Sequence, residues 1–239
     1  MVGFAAQARR VFGALRQFIP RMCVLCGCYE SRTGICTQCE GLLPRNDHHC
    51  CHCGQPLDAA DSEADPCGAC ISRPPSFDIA RAPMRYAFPV DVVLKKIKFG
   101  RQLVFAPPMA EFLCREVGRW FADCDVLVPV PLYRWRHVRR GFNQADELCK
   151  PLARQTGLPI LMSPERRRAT RSQSGLDAPD RARNVRNAFV VDVPLRYRYP
   201  LIVDDVITTG ATCNALAQAL KRAGAERVAA VAVARASDL

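Results

Sequence analysis

Four Cys-x-x-Cys pairs crowd into the first third of this 239-residue chain: Cys23/Cys26, Cys36/Cys39, Cys50/Cys53 and Cys67/Cys70. No other feature restricts the fold as tightly. Two-residue spacing lets both thiolates of a tight turn reach one tetrahedral zinc ion. Eight thiolates suffice for two closed sites of four cysteines each. A closed site keeps no position for water, so the expected role is structural. Sequential pairing groups Cys23, Cys26, Cys36 and Cys39 in one site and Cys50, Cys53, Cys67 and Cys70 in the other. A cross-braced arrangement, first pair with third and second with fourth, is the alternative; short loops favour the sequential one. Cys28 and Cys51 are surplus, as are His48, His49 and His52, and any of them is a substitute ligand. Iron–sulfur ligation is a minor alternative for thiolate donors. The segment has few large aliphatics, so metal must supply folding energy, roughly 10–16 kcal/mol of apparent binding energy per structural zinc.

Ten of the fourteen cysteines lie between residues 23 and 70. Cys114, Cys124, Cys149 and Cys213 are scattered and read as buried structural thiols. Charge is as lopsided as cysteine. Residues 1–80 carry 7 Lys+Arg against 8 Asp+Glu, whereas residues 81–239 carry 27 against 15. The net charge of +11 therefore comes from the second part and points to an anionic partner. Apolar residues at 49% and charged residues at 24% are those of an ordinary globular protein. No run of about 18 apolar residues exists, so no transmembrane segment is expected.

Phe4, Ala8, Val11, Phe12, Leu15, Phe18 and Ile19 share one helical face, with Arg9, Arg10 and Arg16 between them. This predicts an amphipathic helix over residues 1–22. Such a helix packs on its own protein or lies on a membrane surface, and packing is the preferred reading. No secretory signal follows. The expected compartment is the cytoplasm, where cysteine clusters bind metal rather than form disulfides, with peripheral contact at the inner membrane face left open. The double zinc-binding module spans 23–73. Arg73-Pro74-Pro75 marks an extended connector to a domain over 78–239.

That domain alternates strands and helices. Strands are expected at Ala82–Phe88, Val126–Val130, Ala188–Val191, Leu201–Val206 and Arg227–Ala234. Helices are expected at Val92–Phe99, Pro108–Trp120, Asn143–Gln155 (bent at Pro151) and Thr212–Ala223, the last ending at Gly224. The alternation implies an α/β fold with a mostly parallel sheet flanked by helices.

The most informative stretch is Pro200-Leu-Ile-Val-Asp204-Asp205-Val-Ile-Thr208-Thr209-Gly210-Ala211-Thr212. An apolar strand ends in two adjacent carboxylates, followed by a small-residue turn and a helix. Ligands of open α/β sheets bind beyond the carboxyl ends of strands. The turn offers backbone N–H groups and hydroxyls at a helix N-terminus, which is a phosphate cradle. Carboxylates repel phosphate, so the acidic pair should face hydroxyls or a metal. A sugar phosphate satisfies both halves.

Leu201–Thr212 closely resembles the phosphoribosyl pyrophosphate (PRPP) signature of type I phosphoribosyltransferases. Val128-Pro-Val-Pro-Leu132 and Arg140-Gly-Phe-Asn-Gln144 resemble the ComF family, which includes ComFC and GntX-like proteins. So do Arg168-x-Thr170-x-x-Gln173-x-x-Leu176, Arg181-x-x-Asn184-Val185 with Phe189, and Lys98-Phe99-Gly100. Paired Cys-x-x-Cys segments ahead of a phosphoribosyltransferase domain are similar to that family's zinc-finger architecture. The resemblance covers roughly residues 20–236. It implies that Asp204 and Asp205 hold the ribose hydroxyls at the catalytic centre and that Thr208, Thr209, Gly210, Ala211 and Thr212 hold the 5′-phosphate. It implies a pyrophosphate loop after Val130-Pro131 and a mobile hood over 166–187. Arg140 and Arg168 fall in its motifs and are expected to help bind PRPP, with Mg²⁺ accompanying the pyrophosphate.

Arg166, Arg167, Arg168, Arg171, Arg181, Arg183 and Arg186 form one basic cluster, and Arg134, Arg136, Arg139 and Arg140 another. Several arginines suit PRPP. Eleven exceed what one PRPP needs, so some are candidates to track a nucleic-acid backbone. Tyr133, Trp135 and Phe142 lie among them, either as base-stacking rings or as half-buried packing. No purine, pyrimidine or orotate pocket is legible. The function expected is a PRPP-binding, phosphoribosyltransferase-like protein associated with DNA uptake in natural competence, its acceptor unknown. The alternative is a non-catalytic protein that binds single-stranded DNA or docks a partner, such as a DNA-uptake helicase or membrane-associated machinery.

Overall fold

The structure is a computed structural model that describes residues 22–28, 34–57, 65–133, 138, 141–162, 164–166, 188–191 and 194–237. The helix expected over 1–22 (all but Met22), Arg140, Arg168, the arginines at 134–139 and the hood beyond Arg166 lie outside the described residues. The chain divides into two compact units, with the division between Leu43 and Pro44.

The first unit winds around its own cysteines. Gly27, at φ 79°, closes a turn in which its N–H donates to the Cys23 carbonyl at 2.8 Å. Only a residue free to take positive φ closes that turn without strain. Helix α1 (Thr37–Gly41) follows, and the Cys36 sulfur accepts from the Cys39 N–H at its N-terminus. Cys23, Ile35, Cys36 and Leu43 are buried, a core too small to hold a fold by apolar contact alone.

The second unit holds helix α2 (Gly68–Ser72) and then a mixed α/β layer structure. Strands β1 (Ile79–Arg81) and β2 (Met84–Arg85) precede helices α3 (Val90–Gly100) and α4 (Ala106–Trp120). Strand β3 (Val126–Pro129) and helix α5 (Gln144–Thr156) follow. Strands β4 (Glu165–Arg166) and β5 (Phe189–Val190) form a separate antiparallel pair. Strand β6 (Pro200–Ile207), helix α6 (Ala211–Arg222) and strand β7 (Ala229–Arg235) complete the unit. In the main sheet the order is β1-β7-β6-β3, and β2 also pairs with β7. Each of these pairings is parallel, with Leu201 opposite Ala229 and Val126 opposite Pro200.

The parallel sheet has a direct cause in sequence. Strands covered on both faces read as continuous apolar runs. All of β3 and β7 is buried, and β6 is buried up to Val203. The alanines of β7 and α6 let the layers approach closely, and Ala215, Leu216, Ala217, Ala219 and Leu220 of α6 enter the core.

The described residues add detail to three expectations. The strand expected over Ala82–Phe88 is confined to β2 (Met84–Arg85), with β1 ahead of it and Ala82-Pro83 between them, because proline has no N–H to donate to the ladder. Helix α5 includes Pro151 and extends from its Asn143 cap to Gly157. The connector at residues 73–75 is not where the compact units divide. The second cysteine segment belongs to the α/β unit, because backbone bonds stitch it there. Ala80 N–H donates to His52 O at 2.7 Å, and Arg85 N–H to Pro44 O at 2.7 Å. Buried Asn46 donates to both Gly54 O at 2.9 Å and Ala82 O at 3.0 Å.

Candidate functional site

A cleft of about 720 Å³ opens beyond the carboxyl end of β6. Asp204, Asp205, Thr208, Gly210 and Thr212 line it, together with Val130 and Gln144 from the neighbouring β3–α5 side and Lys98 from α3. Of the residues expected to bind, the structure brings these five to one cavity. Thr209 and Ala211 stand in the same loop but are not among the lining residues. Arg140 and Arg168 lie outside the described residues.

The acidic pair is held by its own strand end. The Asp204 carboxylate accepts from the Asp205 N–H at 2.8 Å, and the Asp205 carboxylate from the Val206 N–H at 3.0 Å. Lys98 Nζ stands 3.7 Å from the Asp205 carboxylate. Desolvation, reinforced by the like charge of Asp205, pushes the Asp204 carboxyl well above its ordinary range, and Lys98 only partly offsets this. Two carboxyls so placed favour a polyhydroxylated ligand or a cation that relieves their repulsion.

The loop beyond them turns on Gly210, at φ 74°. This glycine caps α6, and the Ala211 N–H in the first turn donates to Thr209 Oγ1 at 3.4 Å. The first-turn amides of a helix have no partner within it, and they carry its partial positive charge. The loop is braced from behind. The Phe77 ring lies 3.7 Å from where a Gly210 Cβ would stand. Asn214, in the first turn of α6, accepts from the Ser76 N–H at 2.6 Å.

Cations complete the cleft. Lys95, Lys96 and Lys98 of α3 line it, as does Arg166. Arg166 is buried, with its guanidinium 5.4 Å from the Phe189 ring centroid. Lys98 and Gln144 each occurred in a recognisable motif, yet nothing in their spacing assigned them to the cleft. Their signal was position: one stands near the end of a basic helix, the other directly after a helix cap.

Among the described residues, two cysteine groups gather without any acidic or histidine member. In the α/β unit the Cys50, Cys53, Cys67 and Cys70 sulfurs all lie within 4.8 Å of one another. In the first unit the corresponding set is Cys23, Cys26, Cys28 and Cys36. Cys39 borders it through thiol contacts with Cys26, Cys36 and Cys23. Cys28, a surplus residue by the pair count, joins this group, and Cys39 stands at its border. The signal for Cys28 was the Cys26-x-Cys28 spacing. Ligands 2.3 Å from a tetrahedral zinc are about 3.8 Å apart. The Cys26–Cys36 and Cys53–Cys67 sulfurs are each 3.7 Å apart, so both groups fit a metal ion. Burial disfavours the Cys23 and Cys50 thiolates, but backbone N–H donors outweigh it and hold them at about 6 and about 7. Thiolates so stabilised are the form that binds metal.

No family model matches the chain. DNA utilization protein YhgH of Salmonella typhi is 37% identical over 218 residues, covering 88% of this chain and 95% of its own. Competence protein F of Haemophilus influenzae is 33% identical over 233 residues, covering 93% and 100%. Competence protein ComFC of Streptococcus pneumoniae is 29% identical over 154 residues, covering 63% and 60%. Among solved structures, a glutamine PRPP amidotransferase from B. subtilis complexed with ADP and GMP aligns over 58% of this chain and 30% of its own, at 20% identity and a TM-score of 0.36. Identity of this extent along nearly the full length of YhgH and competence protein F means that the protein belongs to the ComF family.

Proposed function

We propose that the chain binds PRPP in the β6 cleft and serves DNA utilization and competence, the roles named for its relatives. One observation carries the reading: adjacent carboxylates at the end of β6 face the same cleft as a glycine-capped loop at the N-terminus of α6. The carboxylates suit the ribose hydroxyls. The loop, Thr208 to Thr212, suits the 5′-phosphate. Lys96, Lys98 and Arg166 suit the pyrophosphate. Mg²⁺ carried on the pyrophosphate supplies further charge neutralisation when the ligand binds. Transfer at the anomeric carbon needs orientation, charge neutralisation and exclusion of water rather than a covalent partner. The two cysteine groups are read as structural zinc sites, and the acceptor is left to be found by experiment.

Calorimetric titration of PRPP with Mg²⁺ into the full zinc-loaded chain tests the reading. Wild type should bind, and the Asp204→Asn, Asp205→Asn double variant should not. Unchanged affinity in the folded double variant would sink it. Pyrophosphate release with a panel of nucleobases and single-stranded DNA then separates an enzyme from a binding protein.

A specific surface favours a second activity, binding of single-stranded DNA. Phe88 just before α3 is 79% exposed and Phe99 near its end is 70% exposed. Lys95, Lys96 and Arg101 are exposed alongside. Aromatic rings among cations make a sequence-tolerant stacking platform. Affinity for a short oligonucleotide should fall steeply with salt, and a flat dependence excludes this role. No helix among the described residues is long and apolar enough to cross a membrane.

A further inference from the structure

Five cysteines converge in the first unit, where a tetrahedral zinc ion takes four. The Cys23, Cys26, Cys28 and Cys36 sulfurs all lie within 4.8 Å of one another. The Cys39 thiol contacts three of the same sulfurs, those of Cys23, Cys26 and Cys36. The Cys36 thiol in turn contacts both Cys28 and Cys39. Cys23, Cys26 and Cys36 are therefore common to two four-thiol sets, one completed by Cys28 and the other by Cys39. Cys51, equally surplus by the pair count, joins neither cysteine group among the described residues.

The backbone holds both candidates in place without help from a metal. Gly27, at φ 79°, turns the chain so that the Cys28 carbonyl accepts from the Cys23 N–H at 2.7 Å. Cys39 lies in α1, and its N–H donates to the Cys36 sulfur at 3.5 Å. The shared Cys23 and Cys36 are buried, whereas Cys28 and Cys39 are both half-buried. Both candidates stay beside the metal, and a closed tetrahedral site excludes one of them at any moment. Exchange between them is balanced. The incoming sulfur forms its bond to zinc as the outgoing sulfur breaks its own, and the proton of the incoming thiol passes to the outgoing thiolate. Total charge is unchanged and no oxidant is needed.

We infer that the first unit is a five-thiol zinc site in which Cys28 and Cys39 alternate as the fourth ligand, leaving one thiol beside the metal that accepts a covalent modifier without loss of the ion. The inference rests on the structural zinc reading above. To test it, the full zinc-loaded chain is given a brief pulse of N-ethylmaleimide. Native mass spectrometry counts labels and zinc ions, and peptide mapping places the labels. The maleimide double bond takes the thiolate sulfur on one carbon and a proton from water on the other. Wild type should carry a label at Cys28 in some molecules and at Cys39 in others, with both zinc ions retained. Cys28→Ser should protect Cys39, and Cys39→Ser should protect Cys28. Each single variant should keep its first-unit zinc with affinity lowered less than about tenfold, whereas the double variant should lose about a hundredfold or more. A label on only one of the two residues, or on neither, overturns the inference. So does release of zinc with the first label in this unit, or a double variant that binds zinc as tightly as wild type. If wild type carries a single zinc ion, and Cys70→Ser removes it, the zinc reading of the first unit falls and takes this inference with it.

Discussion

Arg235 donates from Nε to the Cys53 carbonyl, 3.2 Å away and 182 positions earlier in the chain. Its Nη1 also donates to Ile207 O at 3.3 Å and Ala236 O at 2.9 Å. The residue is 2% exposed. One guanidinium thus joins the turn of the second cysteine group to the residue before Thr208. A lysine cannot span three carbonyls, because its donors radiate from a single nitrogen. Arg235→Lys should lower stability by about 2–4 kcal/mol and Arg235→Met by at least as much, since buried carbonyls lose charged donors. Urea denaturation of the zinc-loaded chain measures this. A change below about 0.5 kcal/mol would mean that the carbonyls find other partners.

The two cysteine groups should respond separately to substitution. Cys70→Ser should remove about one zinc equivalent per chain and broaden the unfolding of the α/β unit, because its group is stitched to β1 and β7. Cys28→Ser should lower the zinc affinity of the first group, whereas Cys51→Ser should leave zinc content unchanged. Metal analysis after gel filtration, with a chromogenic chelator following release, decides between them. Equal losses for Cys28→Ser and Cys51→Ser would contradict the grouping.

Asp204 gives a stability effect with a definite sign. Its carboxyl is raised by desolvation and then by Asp205. The folded state therefore prefers it protonated. Its contribution is fully present below the ordinary carboxylate range and is lost as pH rises through the raised value. Asp204→Asn should melt higher than wild type near pH 7 in the absence of ligand, by about 2–4 °C per kcal/mol gained, and the difference should shrink on acidification. A lower melting temperature at pH 7 would mean that the carboxylate is already compensated.

The exposed rings of the α3 region should act through stacking and its lysines through charge. Phe99→Ala should weaken an oligonucleotide by about 1–3 kcal/mol at any salt concentration. Lys95→Gln with Lys96→Gln should instead flatten the salt dependence, by about 0.7 in the logarithmic slope for each phosphate no longer neutralised. Fluorescence anisotropy across a salt series separates the two. If Phe99→Ala changes only the slope, the ring does not stack on a base.

Sequence carried the fold further than it carried the site. β6 and β7 were legible because strands covered on both faces are apolar without interruption. α6 was legible because its alanines and Gly210 mark a helix and its start. Asp204 and Asp205 stood out as charges ending an apolar strand. Lys98 and Gln144 did not, because their place depends on how α3 and α5 pack around the sheet, which no local pattern encodes. Cys28 was set aside for the same reason: Cys-x-x-Cys counting describes spacing along the chain, whereas ligation depends on where the turn at Gly27 sends the next side chain. The division after Leu43 was hidden in single residues such as Asn46, whose two backbone bonds bind the second cysteine segment to β1 and β2.

The β6–β7 ladder ends where the Thr208 loop begins. Amides at the centre of that buried ladder should exchange with deuterium only when the whole unit opens, whereas those of the loop, one residue beyond, need only a local opening. A ligand seated on the loop should therefore slow exchange at Thr208–Thr212 at short exchange times, well before the amides of Leu201–Val203 exchange at all. Early protection of the loop then reports occupancy without a labelled ligand or a turnover assay.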